Sequence, residues 1–253
     1  MQYKSKILCA AMILVLAIGS AASGEAVKLN TAEGAKETVV LLHGIGHSRL
    51  NMSGAAHALH KAGYNTLSVS YPSRSDEIVG LSAFIAGELR GQRVWQNAEK
   101  VHFVTHSMGG LVTRQYLEAY KNEIPKRKLG RVVMMAPPLG GSEVTDFLKS
   151  FPPYKWLFGP AGLELTTEIQ RKNHVKPYYD VGIIAGTSGW PYLAAHLVMP
   201  SGHDGRVSVE STKWIGMKDH ITLSATHSFI SWKPIVHKHI IHFINKGEFD
   251  HEA

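Results

Sequence analysis

The sharpest chemical signal in the chain is Val101-His-Phe-Val-Thr-His106-Ser107-Met108-Gly109-Gly110. An apolar run ends at Ser107 and a helical pattern leaves it, so the serine stands on a sharp strand-to-helix turn with small residues beside it. Such a turn lifts a hydroxyl above the end of a sheet. The free N–H groups and positive dipole of the helix start then lie beside the reacting oxygen. These are the requirements of a serine nucleophile; a serine that merely caps a helix is the plain structural alternative. One position departs from the Gly-x-Ser-x-Gly pattern. Thr105 stands where the first glycine is expected, and its β-branch has to fit close to the following helix.

A serine nucleophile needs a base, and the base needs an acid to orient it. In Ile221-Thr-Leu-Ser-Ala-Thr-His227-Ser-Phe229 a short strand ends and a histidine stands in the loop before the last helical pattern, which makes His227 the candidate base. In Gly202-His-Asp204-Gly205 an aspartate sits on a glycine-flanked loop, which makes Asp204 the candidate acid. The same residues also read as an ordinary Asp-Gly turn. Glu210 is the reserve acid; Asp180 at the start of one strand and Asp219 beside another are less well placed. The chain has 15 histidines. His220 starts a strand, at its far end, and His237, His239 and His242 fall on the final helix. His239 and His242 are spaced i, i+3, but two ligands are too few for a zinc site, so no metal is expected.

The elements that must position these residues can be read from short apolar runs. Thr38–Leu42, Thr66–Ser70, Val101–Thr105 and Arg131–Met135 are aliphatic or β-branched and bounded by polar residues or glycine, which predicts buried strands. Tyr179–Thr187 and Ile221–Ala225 extend the set. Helical spacing lies between them, at Ala55, Ala58, Leu59 and Ala62 before Gly63, over Ser82 to Trp95, and from Leu111 to Tyr120; Ile230–Ile244 is the closing helix. Alternating strands and helices predict an α/β fold, a mostly parallel sheet with helices on both faces. Pro137 to Lys176 breaks the alternation with five prolines and an aromatic cluster at Phe151, Tyr154, Trp156, Leu157 and Phe158. Two readings stand side by side for 137–178: a lid or cap segment, or an aromatic patch that covers one end of the sheet.

These motifs resemble the α/β-hydrolase superfamily, in particular bacterial lipases and esterases with a His-Ser-Met-Gly-Gly elbow. Met135-Ala-Pro-Pro-Leu-Gly-Gly-Ser142 is also similar to a stretch of lipases and GPI-inositol-deacylase-like proteins. The resemblance covers roughly residues 38–245. It implies Ser107 as nucleophile, Asp204 as acid and His227 as base, in the superfamily's chain order. It also implies that the loop after Val39-Val-Leu-Leu-His43-Gly44-Ile45-Gly46 supplies one oxyanion N–H, so that the amides of Ile45 and Met108 form the oxyanion hole. His43, which precedes Ser107, is then a structural residue. No cofactor is implied. The expected activity is carboxylic ester hydrolysis through an acyl-enzyme. A thioesterase, amidase or acyltransferase would use the same constellation, and a catalytically inactive hydrolase fold serving as an envelope binding protein is the alternative of a different class.

Residues 1–24 carry Lys4 and Lys6, an apolar run from Ile7 to Ile18, and the small residues Ser20-Ala21-Ala22. This is the pattern of a secretory signal peptide, and its twelve apolar residues fall short of the ~20 that span a bilayer. The expected organisation is a signal peptide over 1–22 and one domain over 23–253, secreted or periplasmic; an uncleaved N-terminal membrane anchor is the alternative that the short apolar run disfavours. Cys9 is the only cysteine, so the mature chain would contain neither a disulfide nor a thiolate nucleophile. Among the 253 residues, 44% are hydrophobic and 19% charged, which excludes a disordered chain. The net charge is +7, and removing Lys4 and Lys6 leaves +5. That charge favours peripheral contact with an anionic membrane or envelope. The basic residues are scattered and no nucleic-acid motif is present, so no nucleic-acid partner is expected. The expected substrate is a small-molecule or lipid ester.

Overall fold

Runs such as Val39-Val-Leu-Leu42 are apolar at every position rather than at every second one, and a strand of that kind needs cover on both faces. The computed structural model of the protein describes residues 26–173, 175–199 and 202–252; the expected signal peptide over 1–22 lies outside the described residues. The strands are β1 (Val27–Asn30), β2 (Glu37–Leu42), β3 (Asn65–Val69), β4 (Lys100–His106), β5 (Leu129–Met135), β6 (Val181–Gly186) and β7 (Asp219–Leu223). They form one sheet in the order β1-β3-β2-β4-β5-β6-β7, parallel throughout except where β1 pairs antiparallel with β3.

The main helices are α1 (Ser53–Lys61), α2 (Ile78–Gly91), α3 (Met108–Ala119), α4 (Glu143–Leu148), α5 (Pro152–Glu164), α6 (Thr167–Gln170) and α7 (Pro234–Lys246). Alternation along each strand divides the core in two. Val40, Leu42, Phe103, Val132 and Ile183 pack with Leu81, Ile85, Leu89 and Leu111 of α2 and α3. Val39, Leu41, Val104, Val133 and Ile184 pack on the opposite face with Leu59 of α1 and Val236, Ile240 and Phe243 of α7. The chain thus has the expected α/β-hydrolase fold, with helices on both faces of a mostly parallel sheet.

Several boundaries differ from the sequence reading. The helix expected from Ser82 begins at Ile78, because the Ile78 N–H donates to Glu164 Oε1 at 2.9 Å, a cap supplied from 86 residues away. The closing helix starts at Pro234 rather than Ile230; His227–Trp232 forms a 3₁₀ stretch, and proline fits the first helical turn. The edge strand β1 was not expected, since four half-exposed residues carry no periodic signal. The stretch between β5 and β6, read as irregular, contains α4, α5 and α6. Pro152 and Pro153 occupy the first turn of α5, and the helix breaks at Gly159, just before Pro160.

Candidate active site

Parallel strands feed their C-terminal ends into one row of loops, and the residues singled out in the sequence lie along that row. Ser107 joins β4 to α3 with φ 54° and ψ −128°, a strained geometry for a residue with a side chain. Its N–H donates to Met135 O at 2.8 Å, which fixes the turn to the end of β5. The turn demands glycine two residues on. A Cβ on Gly109 would stand 2.7 Å from the carbonyl oxygens of both Leu42 and His43, so only glycine lets α3 start this close to β2. Gly110 is also crowded, since a Cβ there would stand 3.0 Å from Pro137 Cβ and 3.2 Å from Met134 Sδ, with Thr105 Oγ1 at 3.4 Å.

His227 begins the 3₁₀ stretch after β7. Its Nε2 lies 2.9 Å from Ser107 Oγ and its Nδ1 lies 2.7 Å from Asp204 Oδ2. The other carboxylate oxygen, Oδ1, accepts from the N–H groups of Arg206 at 3.0 Å and Val207 at 2.9 Å. The Asp-Gly turn and the candidate acid are therefore one structure: the turn consumes Oδ1 and aims Oδ2 at the imidazole. A further bond from His227 N–H to Asp204 O at 3.0 Å ties the two loops together. All three side chains are buried, with Ser107 at 5%, His227 at 2% and Asp204 at 1% exposure. Water therefore competes little for these hydrogen bonds.

The remaining sequence candidates fall into place around this line. Ile45 borders the same cavity as Ser107 and His227. Met108 is the first residue of α3, so no carbonyl of that helix can accept its N–H. Glu210 is exposed in an ion pair with Lys213, away from the line. Asp180 pairs with Lys218, and Asp219 accepts from Phe249 N–H and His251; both precede or start strands at the opposite edge of the sheet. His220 meets Thr212 Oγ1, His237 meets Ser231 O, and His239 is buried edge-on to Phe249. Among the described residues, no three His, Cys, Asp or Glu side chains converge as a metal site would require.

Two histidines act on the site from beneath. His43 stacks on Tyr71 at 4.3 Å, donates from Nδ1 to Gly44 O at 2.8 Å and accepts at Nε2 from Tyr71 N–H at 3.3 Å. It thereby braces the loop that carries Ile45. His106, whose part the sequence did not disclose, reaches across to His227. Its Nε2 lies 2.9 Å from His227 O and its Nδ1 lies 2.8 Å from Asn51 Oδ1. Only its position beside the nucleophile hinted at this.

Burial pushes the pKa of His43 down to about 4, partly opposed by its bond to Gly44. Burial also holds His106 well below the usual 6.5, helped by His227, His47 and Arg206 nearby. Both rings are therefore neutral in the folded protein, whereas the unfolded chain takes up their protons near pH 6.5. Below that pH the unfolded state binds more protons, so stability falls as the pH drops from 6.5 through about 4. His43 alone contributes about 3 kcal/mol to that loss. Thermal unfolding followed from pH 8 to pH 4.5 should show Tm falling steeply below pH 6.5; a flat Tm over that range would contradict the assigned neutral state.

A family model described as the Alpha/beta hydrolase family matches residues 39–231. No curated protein sequence matches the chain. Among solved structures, the mature form of the Bacillus licheniformis lipase BlEst2 superposes with a TM-score of 0.65 at 19% identity, over 80% of this chain and 91% of that one. A metagenomic carboxyl esterase gives 0.63 at 15% identity, over 89% and 80%. A monoacylglycerol lipase from Paleococcus ferrophilus gives 0.56 at 15% identity, over 87% and 98%.

Proposed function

Because the chain belongs to the alpha/beta hydrolase family, we propose that it is a serine hydrolase that cleaves carboxylic esters through an acyl-enzyme. The observation that carries this reading is the hydrogen-bonded line from Ser107 Oγ through His227 to Asp204. His227 Nε2 takes the hydroxyl proton as Ser107 Oγ attacks the ester carbonyl. The imidazolium formed is held by Asp204 across Nδ1. The developing oxyanion lies between the N–H groups of Ile45 and Met108. Collapse of the tetrahedral intermediate releases the alcohol, which receives the proton from His227. Water then repeats the sequence on the acyl-enzyme and releases the acid. No cofactor takes part in these steps.

The lipases and esterase named above support a small-molecule or lipid ester as substrate. The experiment that tests the reading is labelling with a fluorophosphonate, which reacts only with an activated serine. The mature protein should be labelled at Ser107 and should hydrolyse p-nitrophenyl esters; an unlabelled Ser107 overturns the reading.

Residues 1–22 are proposed as a signal peptide that delivers the chain to the periplasm or the exterior. There its basic charge would favour an anionic membrane or envelope surface. N-terminal sequencing of the mature protein should start near Ser23. Retention of Met1–Ala22 in a membrane fraction would establish an anchor instead.

A further inference from the structure

We propose that α5 is a fixed wall of the acyl pocket, and that Tyr154 on it restricts the enzyme to short acyl groups. The inference rests on the ester-hydrolase reading above and assigns its substrate class. The apolar composition of 151–158 alone suggests a long hydrophobic chain. The structure divides that composition. Trp156 is 86% exposed and faces away, whereas Tyr154 and Phe158 are buried and line the cavity at Ser107. Val144, Leu165, Ile45, Pro138 and Val207 line the rest of its apolar side. The cavity measures about 40 Å³. A water-sized group needs roughly 10–15 Å³ of such space, so there is room for about three groups. An acetyl to butyryl chain matches that space, whereas an octanoyl chain would have to extend beyond it.

The wall is held at many points. The Tyr154 hydroxyl donates to Gly162 O at 3.3 Å and lies 2.8 Å from Thr145 Oγ1, and its ring packs on Phe158 at 4.7 Å. Burial pushes its pKa up to about 12, so the hydroxyl keeps its proton for that bond. At Gly159 the chain passes so close to the Arg74 carbonyl that a Cβ would come within 1.8 Å of it. The far end of α5 is fastened by Glu164 to Ile78 N–H, and Ser142, before α4, donates its hydroxyl to Arg206 O at 2.9 Å beside the Asp204 turn. A segment tied both to the start of α2 and to the loop of the candidate acid cannot swing clear without breaking these bonds together.

The test is a series of p-nitrophenyl esters from acetate to laurate on the mature protein and its Tyr154→Ala, Tyr154→Phe and Phe158→Ala variants. The wild-type kcat/KM should be at least about tenfold higher for butyrate than for octanoate, since a site discriminates by this much or more per misfitted group. Tyr154→Ala should reverse the ratio, Tyr154→Phe should retain it, and Phe158→Ala should shift it in the same direction as Tyr154→Ala. Phe158→Ala serves if Tyr154→Ala does not fold. A wild type that is labelled at Ser107 yet hydrolyses laurate as well as butyrate overturns the fixed wall and leaves the ester-hydrolase reading standing. So does a folded, labelled Tyr154→Ala variant with the wild-type profile. A chain that cleaves no ester and leaves Ser107 unlabelled overturns both.

Discussion

Replacing Ser107 with alanine is expected to lower kcat by at least ~10⁴-fold, the scale on which removal of a catalytic serine acts. The proposed mechanism leaves no substitute, because His227 Nε2 lies 2.9 Å from Ser107 Oγ and has that hydroxyl as its hydrogen-bond partner. The fold should survive. Ser107 stabilises the turn through its backbone N–H bond to Met135 O, and alanine keeps that bond. The variant should therefore unfold near the wild-type temperature and still bind substrate. It should also fail to react with a fluorophosphonate. Retention of more than about a tenth of the wild-type kcat, far above what such a loss permits, would remove Ser107 from the mechanism.

Asp204→Asn should cost nearly as much, about 10⁴-fold in kcat, as seen where an acid orients a catalytic histidine. Here the geometry supplies a specific reason. One oxygen of Asp204 already accepts from the N–H groups of Arg206 and Val207. An asparagine would have to keep its carbonyl oxygen there, which turns its NH2 toward His227 Nδ1. The ring would then accept at Nδ1 and carry its proton on Nε2, the atom that must take the serine proton. The variant should fold and still bind, but be nearly inactive. Glu210→Gln and His220→Ala, which alter residues outside the line, should keep most activity. If Asp204→Asn stays near wild type while Glu210→Gln abolishes turnover, the acid has been wrongly assigned.

Residue type and spacing, with the chain order of the family that the motifs resemble, were enough to single out Ser107, Asp204 and His227 as candidates; Ser107 and His227 each stand where an apolar run gives way to a turn or loop, and such endings are local. The apolar runs of β2 to β6 carry their own signal, whereas β7 is only half-buried and begins at Asp219, before the apolar run at Ile221. What escaped depends on distant partners. The start of α2 relies on Glu164, and the backbone at the α5 break lies against the carbonyl of Arg74. Proline punctuation made 137–178 read as irregular, whereas two of those prolines open a helix. The size of the cavity was also out of reach, because composition cannot say that Trp156 turns outward while Tyr154 turns in. His106 looked like a spacer in the motif, and only the fold brings its ring to the backbone of His227.

The four residues of β1 take no part in the chemistry, yet they decide what one flank of the sheet offers to other molecules. Without them β3 would present a row of open N–H and C=O groups, the template on which extended chains add and aggregates grow. With Val27–Asn30 laid in reverse against Val69–Thr66, that row is closed. The new border is only four residues long and carries the exposed charge of Lys28. Short length and a lysine are two of the means by which sheets discourage further pairing. Val27–Asn30 thus replace a longer open edge with a shorter, charged one on a flank of the sheet far from the row of loops that carries Ser107.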